Sequence, residues 1–221
     1  NGHTPFSSYL AFLSLLCSAL FDCKYIAVSN ERSSNEGNRK YRGAVINHQY
    51  SKSFAFEKQF RQYSKKYLLK NSVYYSFARP LYELQISKIF AQYPQYFSIF
   101  LSCNEANKTY SGSRKPIRTW CGACAKCLFV FASLYPFVEE NVLVKTFGKN
   151  LFEDKSLIPL LEELTGERKF KPFECVGTVK ESMIALYLSM KKQHDHTHPI
   201  TRYFKDHILP KQKKLEKDAD T

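Results

Sequence analysis

Glycine is scarce in this chain: 8 residues stand against 18 phenylalanines and 15 tyrosines in 221. Long glycine-rich loops are therefore excluded, and bulky aromatic side chains must fill the core. Acidic residues are also in deficit, with 20 Asp and Glu facing 33 Lys and Arg for a formal net charge of +13. A hydrophobic share of 44% excludes a disordered protein and suits one substantial core, or one domain with a small appendage. No evenly spaced cysteine framework points to secretion, and seven cysteines cannot all pair within the chain. A reducing cytoplasm is the expected compartment. No internal repeat is apparent.

Long hydrophobic runs are nearly absent as well. The one candidate, PFSSYLAFLSLLCSALF at 5–21, is interrupted by serines and preceded by no Lys or Arg. It is at the lower length limit for a membrane span, so no membrane insertion is expected. Thr4 as N-cap and Pro5 at the first helical position suit a soluble helix. A helix apolar on nearly all sides is expected to be buried inside a layered domain. The sequence starts at Asn1 without a methionine and is already approaching a helix, which raises the expectation of a fragment.

The chain has an α/β cadence. After the first helix, Lys24 to Ser29 (KYIAVS) read as a buried parallel strand, followed by the polar loop SNERSSNEGN at 29–38. Helix, strand and polar loop form the repeating unit of a doubly wound sheet, whose ligands bind at the C-terminal edge of the strands. An amphipathic helix is predicted over 52–69, another from Pro80 to Gln92, and a second strand over Tyr96–Leu101. Further helices are expected at 124–137, 139–146, 155–165 (ending on Gly166) and 179–191. The expected organisation is an α/β domain over 1–137, a helical subdomain over 138–191, and a poorly ordered or loosely helical basic tail over 192–221. The tail holds His194, His196 and His198, read as exposed.

Positive charge is concentrated between Lys24 and Lys70, where eleven Lys and Arg face three Glu. Such a surface attracts nucleic acid, nucleotides or anionic membrane, or is a solvated basic face. A basic nucleic-acid module is one functional reading, but the cations are scattered through predicted helices, so no nucleic-acid partner is expected.

Residues 119–127, TWCGACAKC, place Cys121, Cys124 and Cys127 at two-residue spacing, too close for good disulfides among themselves. A tetrahedral Zn²⁺ site needs four ligands, and Cys103, at the end of the predicted second strand, is the nearest fourth. The same ligands suit an Fe–S cluster, a redox pair or simple buried thiols. With four protein ligands a zinc site is structural, a clip for the loop 102–119. Cys17 and Cys23 are expected to be buried thiols.

Five segments in order, NGHTPFSSYLAFLSLL, VSNERSSNEGN, TWCGACAKCLFVF, FGKNLF and KPFECVGTV, resemble the C-terminal two-thirds of the UDP-N-acetylmuramoyl-L-alanyl-L-glutamate epimerases. The cysteine layout is similar to that of the 7-cyano-7-deazaguanine synthases, among the PP-loop ATP pyrophosphatases, which hold zinc with one upstream cysteine and a close triplet. The resemblance implies an adenine-nucleotide α-hydrolase-like (PP-loop) parallel sheet with helices, here partial, plus a Cys₄ zinc clip and a helical C-terminal part. It implies ATP and Mg²⁺ as cofactors and a UDP-linked muramoyl dipeptide as substrate, in bacterial cell-wall precursor synthesis. Its reaction inverts the terminal L-Glu by way of an acyl-adenylate. The Ser-Gly-Gly-x-Asp-Ser loop of that class is absent, since Ser111-Gly112-Ser113 lacks the Asp and the preceding strand. The chain is thus not expected to hydrolyse ATP by itself.

Candidate site residues fall in three places. Asn30, Glu31, Arg32, Ser33, Asn35, Glu36 and Asn38 would bind substrate or nucleotide, with Arg32 as a forked anion contact and Glu31 or Glu36 for the metal. Asn1, Gly2 and Thr4 precede a helix N-terminus, a natural anion site, where His3 could contact phosphate or act as acid or base. Glu174 and Cys175 lie just before a helix start, where a thiol pKa tends to fall, and Cys175 is the leading catalytic base. Two other readings stay open: a related PP-loop enzyme that adenylates a different carboxylate or a nucleobase, and a zinc-clipped binding module.

Overall fold

The computed structural model describes residues 5–109, 112, 115–168, 170–193, 198–212 and 215. The chain divides into two compact units, Asn1–Glu83 and Leu84–Thr221.

In the first unit α1 (Phe6–Leu20) leads to β1 (Tyr25–Val28), then to a hairpin of β2 (Arg39–Tyr41) and β3 (Ala44–Ile46). Helix α2 (Phe54–Tyr67) and strand β4 (Val73–Ser76) follow. β1 pairs in parallel with β4, Tyr25 opposite Val73 and Val28 opposite Ser76. The parallel pairing agrees with the reading of β1, but the strand is not buried: Tyr25 is 63% exposed. β4 had no forecast at all; four residues, with only Tyr74 and Ser76 buried, leave too short a pattern to read. Ser53 caps α2, its hydroxyl accepting from the Phe56 amide, and the helix buries the stripe Glu57, Phe60 and Ser64 at helical spacing.

Helix α1 forms where expected, yet it buries only Ala11, Leu15 and Ser18. Phe6, Tyr9, Leu16, Leu20 and Phe21 are exposed, so the expectation of a fully buried helix fails. Apolarity on all sides reports what a helix can bury, not what the rest of the chain brings to it. Cys17 and Cys23 are likewise exposed, against the reading of buried thiols. Among the described residues no helix is long and apolar enough to cross a membrane.

The second unit is helical: α3 (Glu83–Phe90), whose first residue closes the first unit, α4 (Ala125–Leu134), α5 (Glu140–Phe147), α6 (Ile158–Leu164), α7 (Val179–Lys192) and α8 (Pro199–Tyr203). Helix α7 opens on a capping box. The Thr178 hydroxyl accepts from the Glu181 amide, and Glu181 accepts from the Thr178 amide at 2.8 Å. The other Glu181 oxygen takes the Leu84 amide of α3. α4 lies among its neighbours with nearly every side chain buried, and Phe129, Phe131, Phe152 and Phe204 are fully enclosed.

Three expectations need correction here. Tyr96–Leu101 is not a strand: Pro94–Tyr96 forms a 3₁₀ turn, and the amides of Phe97, Ile99 and Phe100 bond back to carbonyls three or four residues earlier. The run was aromatic and short, which suits a strand or a packed turn equally, and Phe97 and Phe100 use it to pack on Phe90. The boundary anticipated after 137 does not separate the units, because α4 packs on α5, α6 and α7. Nor is 192–221 a loose tail throughout. Ile200, Phe204 and Ile208 are buried in the same core, and His198 is the N-cap of α8 with its ring between Glu140 and Glu153. His194 and His196 lie outside the described residues.

Candidate functional site

The second unit carries a cysteine centre. Sγ of Cys121 lies 3.6 Å from Cys127, Cys124 lies 3.6 Å from Cys127, and Cys103 lies 4.0 Å from Cys124. All four sulfurs fall within 4.8 Å of one another. Zinc–sulfur bonds of ~2.3 Å directed to a tetrahedron require sulfur–sulfur edges of about 3.8 Å. The observed spacing would suit four ligands around one ion, and it is too long for any S–S bond. The soft donor set and the closed, buried geometry fit a structural Zn²⁺.

Local sequence explains the placement. Gly122 takes a positive φ of 64°, which turns the knuckle so that the Ala123 amide points at Cys121 Sγ. Cys124 is then the N-cap of α4 and Cys127 sits in its first turn. Burial above all pushes Cys121 up to about 11, and the Cys127 hydrogen bond, followed by burial, drives Cys124 further up. A dication inverts this balance by favouring thiolate.

Glu174 belongs to the same region. Its carboxylate accepts the backbone amide of Lys126 at 2.8 Å, an anion on the first turn of α4. Expected at the chemistry, it ties its own segment to the cysteine helix through this bond. Cys175 beside it is half-buried.

In the first unit the loop 29–38 gathers the expected polar residues, but most of them hold the loop itself. The Ser33 hydroxyl accepts the Glu83 amide, and the Ser34 hydroxyl donates to the carbonyls of Glu31 and Lys52. Asn35 accepts the Phe54 amide at the start of α2, and Asn38 accepts the amide of His48. Asn30 reaches the Ser76 hydroxyl at 3.4 Å, at the end of β4. Arg32 lies over the Tyr82 ring at 5.0 Å and is exposed. Glu31 and Glu36 are half-buried in the same loop. Asn1, Gly2, His3 and Thr4 lie outside the described residues.

Arg79 is the organiser that the sequence reading missed. It donates to the carbonyls of Glu31 and Lys52, both at 2.8 Å, to Ser34 and Ser76, and to the Glu57 carboxylate at 3.1 Å. Glu57 is buried and also accepts from the Ser76 hydroxyl. A glutamate on the apolar stripe of α2, between Ser53 and Phe60, was the available signal: a carboxylate there requires a buried cation.

Two family models match the chain, the MurL N-terminal domain over residues 1–77 and the MurL C-terminal domain over 99–219. The gap between them contains the junction of the two units. The chain is 36% identical over 207 residues to a UDP-N-acetyl-alpha-D-muramoyl-L-alanyl-L-glutamate epimerase of Xanthomonas oryzae pv. oryzae, covering 93% of this chain and 46% of that protein. It is 35% identical over 208 residues to the protein of that name from a Micromonospora species, covering 94% of this chain and 46% of that one. With the Salinispora tropica protein of that name it shares 37% over 188 residues, 85% of this chain and 40% of that one. The chain thus spans about half the length or less of these relatives, 40–46%. No solved structure matches it.

Proposed function

The chain belongs to the MurL family, and we propose that it serves the ATP-dependent epimerisation of the terminal L-glutamate of UDP-N-acetylmuramoyl-L-alanyl-L-glutamate in peptidoglycan precursor synthesis. The observation that carries this reading is the match along both units to relatives named for that reaction. The α-proton beside an ionised carboxylate is very weakly acidic, since its carbanion would stand next to a full negative charge. Joining the carboxylate to AMP removes that charge and lets an enolate-like intermediate form. A base then takes the proton from one face, an acid returns one to the other, and hydrolysis frees product and AMP.

Within this chain Cys175 is the proposed base, at a half-buried position just before the capped start of α7. His3, within the segment 1–4, is proposed as the acid. The loop 29–38 is proposed to take the anionic part of a substrate, with Arg32 as its cation and Glu31 or Glu36 for Mg²⁺. Its rigidity under Arg79 supports that assignment, because a pre-ordered loop loses less entropy on binding. Zn²⁺ on Cys103, Cys121, Cys124 and Cys127 is proposed as a structural ion that orders the cysteine segment. A PP-loop type of fold and a cytoplasmic location accompany this reading.

The test is direct. A full-length protein that contains this sequence is incubated with ATP, Mg²⁺ and the L-Glu-terminated UDP-muramoyl dipeptide, and the product is hydrolysed for chiral analysis. D-Glu is expected, with AMP and pyrophosphate released. ATP consumption without D-Glu would instead indicate an adenylating enzyme of another kind.

A further inference from the structure

In α1 the usual arrangement of a surface helix is reversed. Its inner side meets the first unit through Ala11, Leu15 and Ser18, with Ser7 and Ser14 half-buried along the edges. Its outer side carries Phe6, Tyr9, Leu13, Leu16 and Leu20, all exposed, with Leu20 at 70% and Phe6 at 61%. The serines thus lie towards the covered side, and the more apolar side is bare. Steps of three, four, three and four residues put the five on one stripe, opposite the buried one. That alternation is the spacing with which one helix packs along another. No Asp, Glu, Lys or Arg occurs in α1, so nothing charged interrupts the stripe.

The sheet beside this helix is bare in the same sense. Ala11 and Leu15 of α1 and Phe60 of α2 cluster with Tyr74 and Ile26 on one face of β1 and β4. On the other face Tyr25, Ala27 and Val73 are exposed, although parallel sheets ordinarily have both faces covered. The relatives that match along this unit are long enough to supply the missing layers. The match takes up 46% of the Xanthomonas and Micromonospora proteins, so more than half of each lies outside it.

We propose that the outer stripe of α1 is an interface inside the epimerase, covered by a helix from polypeptide that corresponds to the part of the relatives outside this match. Two other occupants fit less well. Helices that lie on a membrane carry Lys or Arg beside their apolar side, and α1 has none. A second copy of this chain would seat the same stripe but leave the open face of the sheet as it is.

Cys17, exposed on α1 directly after Leu16, is a natural reporter for this face. A full-length protein that contains this sequence is treated with a thiol reagent, native and in urea, and labelled peptides are identified by mass spectrometry. Labelling of Cys17 is expected to be at least about tenfold slower in the native protein, a modest protection for a covered position. Leu16→Glu in the same protein should bring native labelling of Cys17 up towards the rate in urea, without raising amide exchange in α7. If that variant fails to fold, the unsubstituted comparison decides by itself. Cys17 that reacts as fast in the native protein as in urea overturns the interface. Protection that disappears on dilution, as a dimer separates into monomers, gives the stripe to a second copy and overturns it too. Protection that appears only with vesicles containing phosphatidylglycerol gives it to a membrane, with the same consequence. Turnover is scored apart from this: D-Glu formed by a protein whose Cys17 reacts freely removes the interface alone, and protection of Cys17 without D-Glu removes the epimerase reading alone.

Discussion

The two units of this protein keep their structure by different means. Among the described residues the second unit encloses Phe129, Phe131, Phe152 and Phe204 completely, with Leu128, Leu151 and Ile200 around them. The first unit buries Ala11, Leu15, Phe60 and Tyr74 as its apolar cluster, and leaves most of α1 exposed. Its candidate loop is held by Arg79 and Glu57. Apolar burial is non-directional and scales with area, so the second unit should withstand loss of any one polar contact. A structure resting on one buried ion pair has no such reserve, because removing either partner strands the other. The difference also separates roles: a thick core and a cysteine centre to hold a scaffold, and a polar lattice to hold a loop.

The largest expected effect lies at the cysteine centre. Cys127→Ser should take bound zinc from one ion per chain to none and unfold the 103–127 segment, since site formation and folding are one equilibrium in such clips. Metal analysis by mass spectrometry and amide exchange over 103–127 measure both. Retention of zinc by the variant would show that the four sulfurs do not act together. Next comes the apolar contrast. Phe131→Ala should cost about 3–5 kcal/mol in urea unfolding, the usual range for a fully enclosed ring. Phe60→Ala in the first unit should cost less, because that buried ring packs in a small cluster with only Ala11, Leu15 and Tyr74 fully buried beside it. Equal costs would break the comparison between the units.

How far this architecture could be read in advance follows the same division. Helices α3 to α7 of the second unit were legible because apolar residues recur in them at helical spacing; Thr178 with Glu181 and Gly166 after α6 are local signals that act through local structure. The cysteine centre was legible because ligand spacing is itself local, with only Cys103 brought from a distance. What failed was non-local. Nothing in Tyr96–Leu101 tells a packed turn from a strand, and nothing in α1 tells how much of it will be covered. Ile200 and Phe204 looked like part of a polar tail because Lys, His and Asp outnumber them there, although two apolar residues one turn apart are enough to anchor a helix. In the loop 29–38 the polar residue types were plain in the sequence, but not how many of them bond to the loop itself and to the start of α2. That bonding depends on Arg79, more than forty residues away in the chain.

The ion pair supplies the next test. Arg79→Ala should leave the buried Glu57 with only the Ser76 hydroxyl and the longer 3.6 Å pair to the more exposed Arg61, and release the carbonyls of Glu31 and Lys52. A loss of about 2–3 kcal/mol is expected, confined to the first unit. Amide exchange should rise through 30–38 and at the start of α2, while the second unit keeps its protection. Changing both partners, Arg79→Met with Glu57→Leu, should recover part of the stability but not the order of the loop, because the carbonyl contacts are still gone. A double variant with a fully ordered loop would show that packing, and not Arg79, shapes it.

The smallest effect expected is that of acid, and it should fall on the second unit. Hydrogen bonds from Lys149 and Ser156 hold the Asp154 carboxyl at about 2, below its ordinary 3.8. Tyr203 and then Arg168 lower Glu162. Burial disfavours the charged form of Glu140, but hydrogen bonds from Tyr135 and His198 outweigh it and this carboxyl is lowered too. Each group has a folded-state pKa below its unfolded one, so each contributes stability that is complete above about pH 5. That contribution is lost as pH falls from about 4.5 towards 2, where the folded form must take up protons. Midpoints of urea unfolding followed by Trp120, the single tryptophan and a residue of the second unit, should therefore stay level from pH 7 to 5 and decline below 4.5. Asp154→Asn should flatten the lowest part of that decline. If acid loosened the first unit before the second, the pH dependence would not rest on Asp154, Glu162 and Glu140, and this contrast between the units would fail.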